Sequence, residues 1–325
     1  MDITFETLDF SDKIILPASS KNNGYISMNA DIEFCGEGSF ELVFRDDEVE
    51  GFIRKYREDG LLLTWGDFQG YFTDYQFKTG KKSVYGSHIN SLLHKFVVTP
   101  QTIDGDIKEA VYGIISDYTP FTPVENDIDF GTTAYSTDKC LYADDFLIKL
   151  LENHNLGYRL FIENKTIYFE LLKSSNNPIM LSEGNLNVYE IQEDFSNKNI
   201  VYGGWYFLKY NDTWMEDTVT PVENPKWTHI ELENKSGIFS RDVMLESNTP
   251  KGALAELETK TSMMSELICK TKNIKYKEDY NLGDIVRYYT KGITVNKKVT
   301  KISLWYEGSS YHEEPTLTEW EDKDV

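Results

Sequence analysis

The sequence predicts an α+β fold that is mainly β, with barrel-like β domains and a small inserted α+β module. Three observations carry this. Through residues 1–96, short runs alternate apolar with polar residues, and Gly/Asp turns recur roughly every 8–12 residues. Between 100 and 175 the period becomes helical and then returns to a hairpin. Residues 279–306 read as two β-rich runs behind the longest helical pattern of the chain, residues 250–270.

In order, residues 13–16 form a short apolar run ending at Pro17, and residues 27–34 and 39–44 alternate on either side of a turn at Cys35, Gly36 and Gly38. Asp46, Asp47 and Glu48 read as an acidic turn, and residues 51–55 and 61–65 as strands. Residues 88–96 form a short helix with Ile89, Leu92, Leu93 and Phe96 on one face. A helix over 107–118 turns Ala110, Val111, Ile114 and Ile115 inward, and residues 119–139 read as a polar connection with room for one short strand. Residues 142–153 form a helix burying Phe146, Leu147, Leu150 and Leu151. A hairpin follows, 158–163 and 166–172, turning at Asn164-Lys165. Residues 209–229 suit a long hairpin or flap. Thr249 and Pro250 cap the helix 250–270, where Ala253, Leu257, Met264 and Ile268 recur at helical spacing.

The 325 residues are enough for two or three cores. With 33 basic and 54 acidic residues the formal charge is −21, a surface that repels nucleic acid and anionic membrane. The aromatics, 21 Tyr and 18 Phe among them, favour strands and extended interfaces. Cys35, Cys140 and Cys269 are far apart and read as reduced thiols. The acidic N-terminus has no apolar core segment of a signal peptide, and no run reaches membrane-spanning length.

No catalytic, cofactor or metal motif stands out. There is no GxGxxG, Walker loop, HExxH or GxSxG. His88, His94, His154, His229 and His312 have no ligand spacing and read as surface or ordinary structural residues. Asp144-Asp145 suit a helix N-terminus better than an acid/base pair. Asp127, Asp129 and Asp138 match no EF-hand loop. Asp279, Gly283 and Asp284 are polar candidates in the closing segment, and Gly283-Asp284 reads best as a turn launching a strand. The expectation is therefore a non-enzyme with no site residues and no cofactor.

The order of features resembles the tail-hub proteins of long-tailed bacteriophages, a siphophage family related to contractile-phage baseplate hubs. The likeness spans nearly the whole chain. Residues 86–100 (GSHINSLLHKFVVTP) resemble its short helix with a β-branched pair and Pro. Residues 146–172 resemble its helix plus hairpin, with Gly157-Tyr158-Arg159 opening the strand. Residues 197–203 (NKNIVYG) are similar to a family strand, Arg241-Asp242-Val243 to an element before the last helix, and residues 279–286 (DYNLGDIV) to its most specific signature. Residues 206–236 match least.

The resemblance implies tail-tube-type β domains. They would be an N-terminal barrel-like domain at 1–98, an α+β module at 99–180 and a second barrel-like domain at 181–310. The second would carry the helix 250–270 and be open to discontinuity with the first, and an acidic tail would fill 311–325. It implies a homotrimeric hub ring in a virion, assembled in the host cytoplasm. The ring would dock on distal tail or tail-tube proteins and carry receptor-binding or spike proteins. DNA would pass through without specific binding, and no membrane insertion is expected. Many hubs of the family extend into a lytic or fibre-anchoring region; with this sequence stopping at Val325, a lytic activity in the same chain is not expected. The alternative is a carbohydrate- or receptor-binding tail protein using Trp205, Trp214 and Trp227 as a stacking surface. The last strand, 299–306, is expected to return beside the N-terminal strands.

Overall fold

The structure, a computed structural model, describes residues 1–18, 24–151, 154–196, 203–213, 216–232, 242–245, 247–260, 264–290, 292–307 and 310–320. The chain divides into two compact units, Met1–Gln192 with Leu267–Val325, and Glu193–Glu266.

The first unit starts with seven antiparallel strands: β1 (Ile3–Thr7), β2 (Lys13–Leu16), β3 (Tyr25–Glu33), β4 (Ser39–Phe44), β5 (Leu61–Trp65), β6 (Phe68–Lys78) and β7 (Lys81–His88). Their period-two pattern sets which face is buried: in β1, Ile3 and Phe5 point inward while Thr4 and Glu6 do not. Gly38 enables the tight β3–β4 turn. It sits at φ +55°, and a Cβ there would lie 2.2 Å from the Asp31 carbonyl oxygen.

Residues 46–56 differ from the turn and strand expected. Asp47–Tyr56 is a helix, α1. Asp46 caps it by accepting from the Glu48 and Val49 amides, and Val49 and Ile53, four apart, are its buried stripe. The acids read as a turn are the helix's first turn, where they complement its dipole.

A 3₁₀ helix (Ile89–Lys95) leads into the α+β module of β8 (Val97–Val98), β9 (Gln101–Asp106), α2 (Ile107–Tyr118), β10 (Thr122–Pro123), β11 (Thr132–Thr137), β12 (Leu141–Tyr142), α3 (Ala143–Leu151), β13 (Leu156–Glu163) and β14 (Thr166–Lys173). The Asp106 carboxylate caps α2 at the Glu109 amide. Asn164 and Lys165, both at positive φ, make the β13–β14 turn. Two strands follow, β15 (Ser175–Leu181) and β16 (Val188–Ser196).

The second unit contains β17 (Gly203–Thr213), β18 (Glu216–Glu231), β19 (Asp242–Met244) and α4 (Pro250–Lys260). β17 and β18 form the long hairpin expected over 209–229. Its buried face, with Tyr206, Leu232 and Leu245, packs on Ala253 and Leu257 of α4. The Thr249 hydroxyl accepts from the Gly252 amide, the cap the sequence predicts.

The helix is shorter than the expected 250–270. It ends at Lys260, and β20 (Met264–Thr271) follows. Leu267 and Cys269 are buried on either side of a less buried Ile268, a strand's period. The closing strands are β21 (Asp284–Thr290), β22 (Ile293–Glu307) and β23 (Ser310–Glu319). β23 occupies most of the expected acidic tail. It pairs with β22 and β20 and buries Thr316 and Leu317.

The curled half-barrel sheet runs in the order β16-β20-β23-β22-β3-β4-β7-β6-β5-β1-β2, with β21 also beside β22 and β15 beside β21. β22 returns beside β3 as expected, Ile302 facing Ile32 and Leu304 facing Ala30. Its core includes Phe5, Met28, Phe44, Trp65 and Phe68, each fully buried. Burial of each such side chain contributes roughly 1.5–3 kcal/mol. Trp65 donates to the Tyr25 hydroxyl, which donates to the Met1 carbonyl, so the indole N–H is not orphaned. A second core fills the module, with Val111, Ile115, Phe146, Leu147 and Phe169.

Candidate functional site

The densest chemistry lies where the β3–β4 turn, the 3₁₀ helix and the module meet. Asn90, 1% exposed, ties the three. Its Nδ2 donates to the Gly36 carbonyl at 3.2 Å, and its Oδ1 accepts from the Leu160 amide at 2.7 Å. Gln69 of β6 does the same one step along β13, donating to the Ile162 carbonyl and accepting from its amide. The two side-chain amides replace the ladder that a neighbouring strand would supply.

His88 precedes the 3₁₀ helix. Its Nδ1 accepts from the Asn90 amide at 3.3 Å and its ring packs edge-on against Phe68. Burial pushes its pKa down to about 3, so it is a neutral core residue.

His94 lies on the same short helix. Its Nδ1 donates to Asp144 Oδ2 at 2.8 Å, and Glu37 Oε1 is 3.9 Å away. The Tyr142 ring stacks on the imidazole with centroids 4.0 Å apart. Asp144 is buried in the first turn of α3, whereas the other two are half-exposed. Burial, and then the Asp144 charge, push the Glu37 carboxyl above its usual range. The hydrogen bond from His94 to Asp144 raises the imidazole's pKa. Asp144 thus does more than complement the helix dipole, and His94 is not a bystander.

Tyr158 runs beside this cluster, its amide donating to the Phe34 carbonyl. Its ring is 1% exposed, and its hydroxyl has no hydrogen-bond partner among the described residues. Burial above all, then the charges of Cys35, Asp144 and Glu37, hold it in the neutral form.

The closing segment is structural. Asp284, 5% exposed, accepts from Ser175 Oγ, Asn177 Nδ2 and the Asn281 amide, tying β15 to the start of β21. Gly283 sits at φ +86°, and a Cβ there would meet the Phe34 ring at 2.2 Å. The Asp279 carboxylate accepts from the Lys275 amide.

A cleft of about 500 Å³ opens on the outer face of the half-barrel, lined by Asn29, Asp31, Glu41, Tyr85 and Trp305 among others. Asp31 in it is held by Ser303 Oγ and Lys301 Nζ. The converging carboxylates, Glu37 and Asp144, do not line this cleft. In the second unit, Trp205 and Trp227 are 44% and 52% exposed on the face opposite α4. Phe207 packs edge-on against Trp227, and Met244 lies opposite Trp205. The Asp242 carboxylate accepts from Trp205 Nε1 and lies 3.1 Å from His229 Nε2. Trp214, Arg241 and the motif residues 197–202 lie outside the described residues. No helix among the described residues is long and apolar enough to cross a membrane.

No protein-family model matches the chain, and no curated protein matches it. Solved structures do. The 43 kDa tail protein of prophage MuSo2 from Shewanella oneidensis aligns at TM-score 0.57 and 10% identity, with 98% of each chain covered. The tail protein from Neisseria meningitidis MC58 aligns at 0.55 and 11%, covering 98% of this chain and 97% of that one. The prophage tail protein gp18 from Listeria monocytogenes EGD-e aligns at 0.53 and 12%, covering 99% and 96%. At these identities the likeness is one of fold, that of phage tail proteins, over 98–99% of this chain.

Proposed function

We propose that this chain is a structural subunit of a bacteriophage tail tip. Three copies form a hub ring that caps or continues the tail tube, anchors receptor-binding or spike components, and leaves a conduit for DNA. The observation that carries this reading is the fold shared with three phage tail proteins over nearly their whole lengths. In this reading, residues 1–98 and 181–310 supply the barrel walls and residues 99–180 the inserted module. The partners are distal tail or tail-tube proteins on one side and receptor-binding or spike proteins on the other. The subunit is not an enzyme. The charge of −21 suits a conduit along which DNA slides without sticking. Immunogold labelling of intact particles tests the reading: label at the tail tip is expected, and label confined to heads or to free protein overturns it. Tight, salt-sensitive DNA binding by the purified chain contradicts the conduit.

The exposure of Trp205 and Trp227 on one face favours a second reading, a carbohydrate- or receptor-binding tail protein. Titration with host-wall glycan fragments separates the two. Saturable indole shifts that Trp205→Ala abolishes support a glycan platform, and unchanged indole signals remove it.

A further inference from the structure

Glu37, His94 and Asp144 bring three metal-capable donor atoms within 4.8 Å of one another from three separate elements. We propose that they bind a transition-metal dication of the Zn²⁺ class, which clamps the β3–β4 turn, the 3₁₀ helix and α3 together. This goes beyond the tail-tip reading and does not depend on it.

The distances suit one ion. Metal bonds of about 2.0–2.2 Å to N and O hold two donors of the same ion roughly 3–4 Å apart. His94 Nδ1 is 2.8 Å from Asp144 Oδ2 and 3.9 Å from Glu37 Oε1. Glu37, half-exposed on its turn, closes the remaining gap by a side-chain rotation, while Asp144 is fixed by burial and the imidazole by its stack on Tyr142.

The charge also suits a cation. Two carboxylates converge, Asp145 adds a third nearby, and among the described residues none of the three pairs with a Lys or Arg. A protonated His94 offsets only one of them. Imidazole with two carboxylates selects zinc-like ions over calcium or magnesium, which take oxygen ligands in larger number. Binding requires neutral imidazole with its hydrogen on Nε2: an imidazolium releases its Nδ1 proton to solvent as the metal bond forms, and a neutral Nδ1–H ring gives that proton up while taking one from solvent at Nε2. The half-exposed rim leaves the remaining coordination positions to water.

The test uses the full, untagged chain after chelator treatment, titrated with Zn²⁺ by calorimetry and followed by thermal melting. One ion per chain and a metal-dependent rise in melting temperature are expected. Affinity should drop about tenfold or more in Glu37→Gln and in His94→Ala, since each removes a ligand. Glu37→Gln replaces a half-exposed side chain and should leave the apo melting temperature near that of the wild type, whereas His94→Ala also removes the hydrogen bond to buried Asp144 and should lower it, so Glu37→Gln is the cleaner variant. Cys140→Ser, which removes an exposed thiol, should bind as the wild type does. Three outcomes overturn the proposal: no stoichiometric Zn²⁺ binding at millimolar ion, binding that Glu37→Gln and His94→Ala leave unchanged, or binding lost in Cys140→Ser.

Discussion

Replacing Asn90 by Ala should loosen the seam between the half-barrel and its inserted module. Asn90 is 1% exposed, and its carboxamide serves two backbone groups, the Gly36 carbonyl at 3.2 Å and the Leu160 amide at 2.7 Å. Both residues are buried. Truncation orphans both groups, and each buried unsatisfied group costs roughly 1–3 kcal/mol. Allowing for a water that enters the vacated space, the loss should be about 2–4 kcal/mol. Asn90→Asp is the sharper variant: it still accepts from Leu160 but turns a carboxylate oxygen towards the Gly36 carbonyl, so it should cost at least as much. Gln69→Ala removes the parallel pair of bonds to Ile162 at a part-buried position, where water can replace them, and should cost about 1 kcal/mol. Urea unfolding at neutral pH, followed by far-UV circular dichroism with the slope checked for constancy, reads all three. A loss below about 1 kcal/mol for Asn90→Ala, or equal losses at Asn90 and Gln69, refutes the argument.

Three further outcomes follow from the same packing. Buried neutral His88 has a folded pKa of about 3, against 6.5 for the exposed group. Between those values the unfolded chain binds the extra proton, so stability falls as pH falls, by about 1.4 kcal/mol per pH unit. Urea midpoints at pH 6.5 and 5 should show an excess loss on the order of 2 kcal/mol that His88→Asn removes; a variant keeping the same slope contradicts this. Asp284→Ala strips the acceptors from Ser175, Asn177 and the Asn281 amide and should cost about 2–4 kcal/mol in the same assay, with a neutral result counting against it. Gly283→Ala combines a positive φ with a Cβ 2.2 Å from the Phe34 ring, and should cost about 2–4 kcal/mol, whereas Gly80→Ala, with φ +78° and open space around it, should cost only about 1 kcal/mol.

Where local chemistry and burial agree, the fold is legible in the sequence. The helix α2 lies where its apolar stripe puts it, and the β13–β14 hairpin turns at Asn164-Lys165. Elsewhere composition hides the pattern. The acids around Asp46 suggest a turn because they are a helix's cap and first turn. Leu267, Ile268 and Cys269 fit a helical stripe and a strand equally well until pairing with β23 selects the strand. The acids of β23 suggest a free tail, yet Glu313 accepts from the Tyr276 amide and Leu317 is buried. The junction cluster is the least legible part. Glu37, His94 and Asp144 are separated by 57 and 50 residues in the chain, and only the fold brings them together. One local signal was present: Asn90 stands between Ile89 and Leu92 on an apolar helical face, where a polar residue needs a buried partner.

Imaging of the purified chain, alone and with a distal tail or tail-tube protein, distinguishes a hub ring from a single subunit. A closed ring of three copies with a central opening wide enough for duplex DNA is expected, formed alone or on the partner. Particles that stay single-chain in both conditions, or that assemble without a central opening, contradict it.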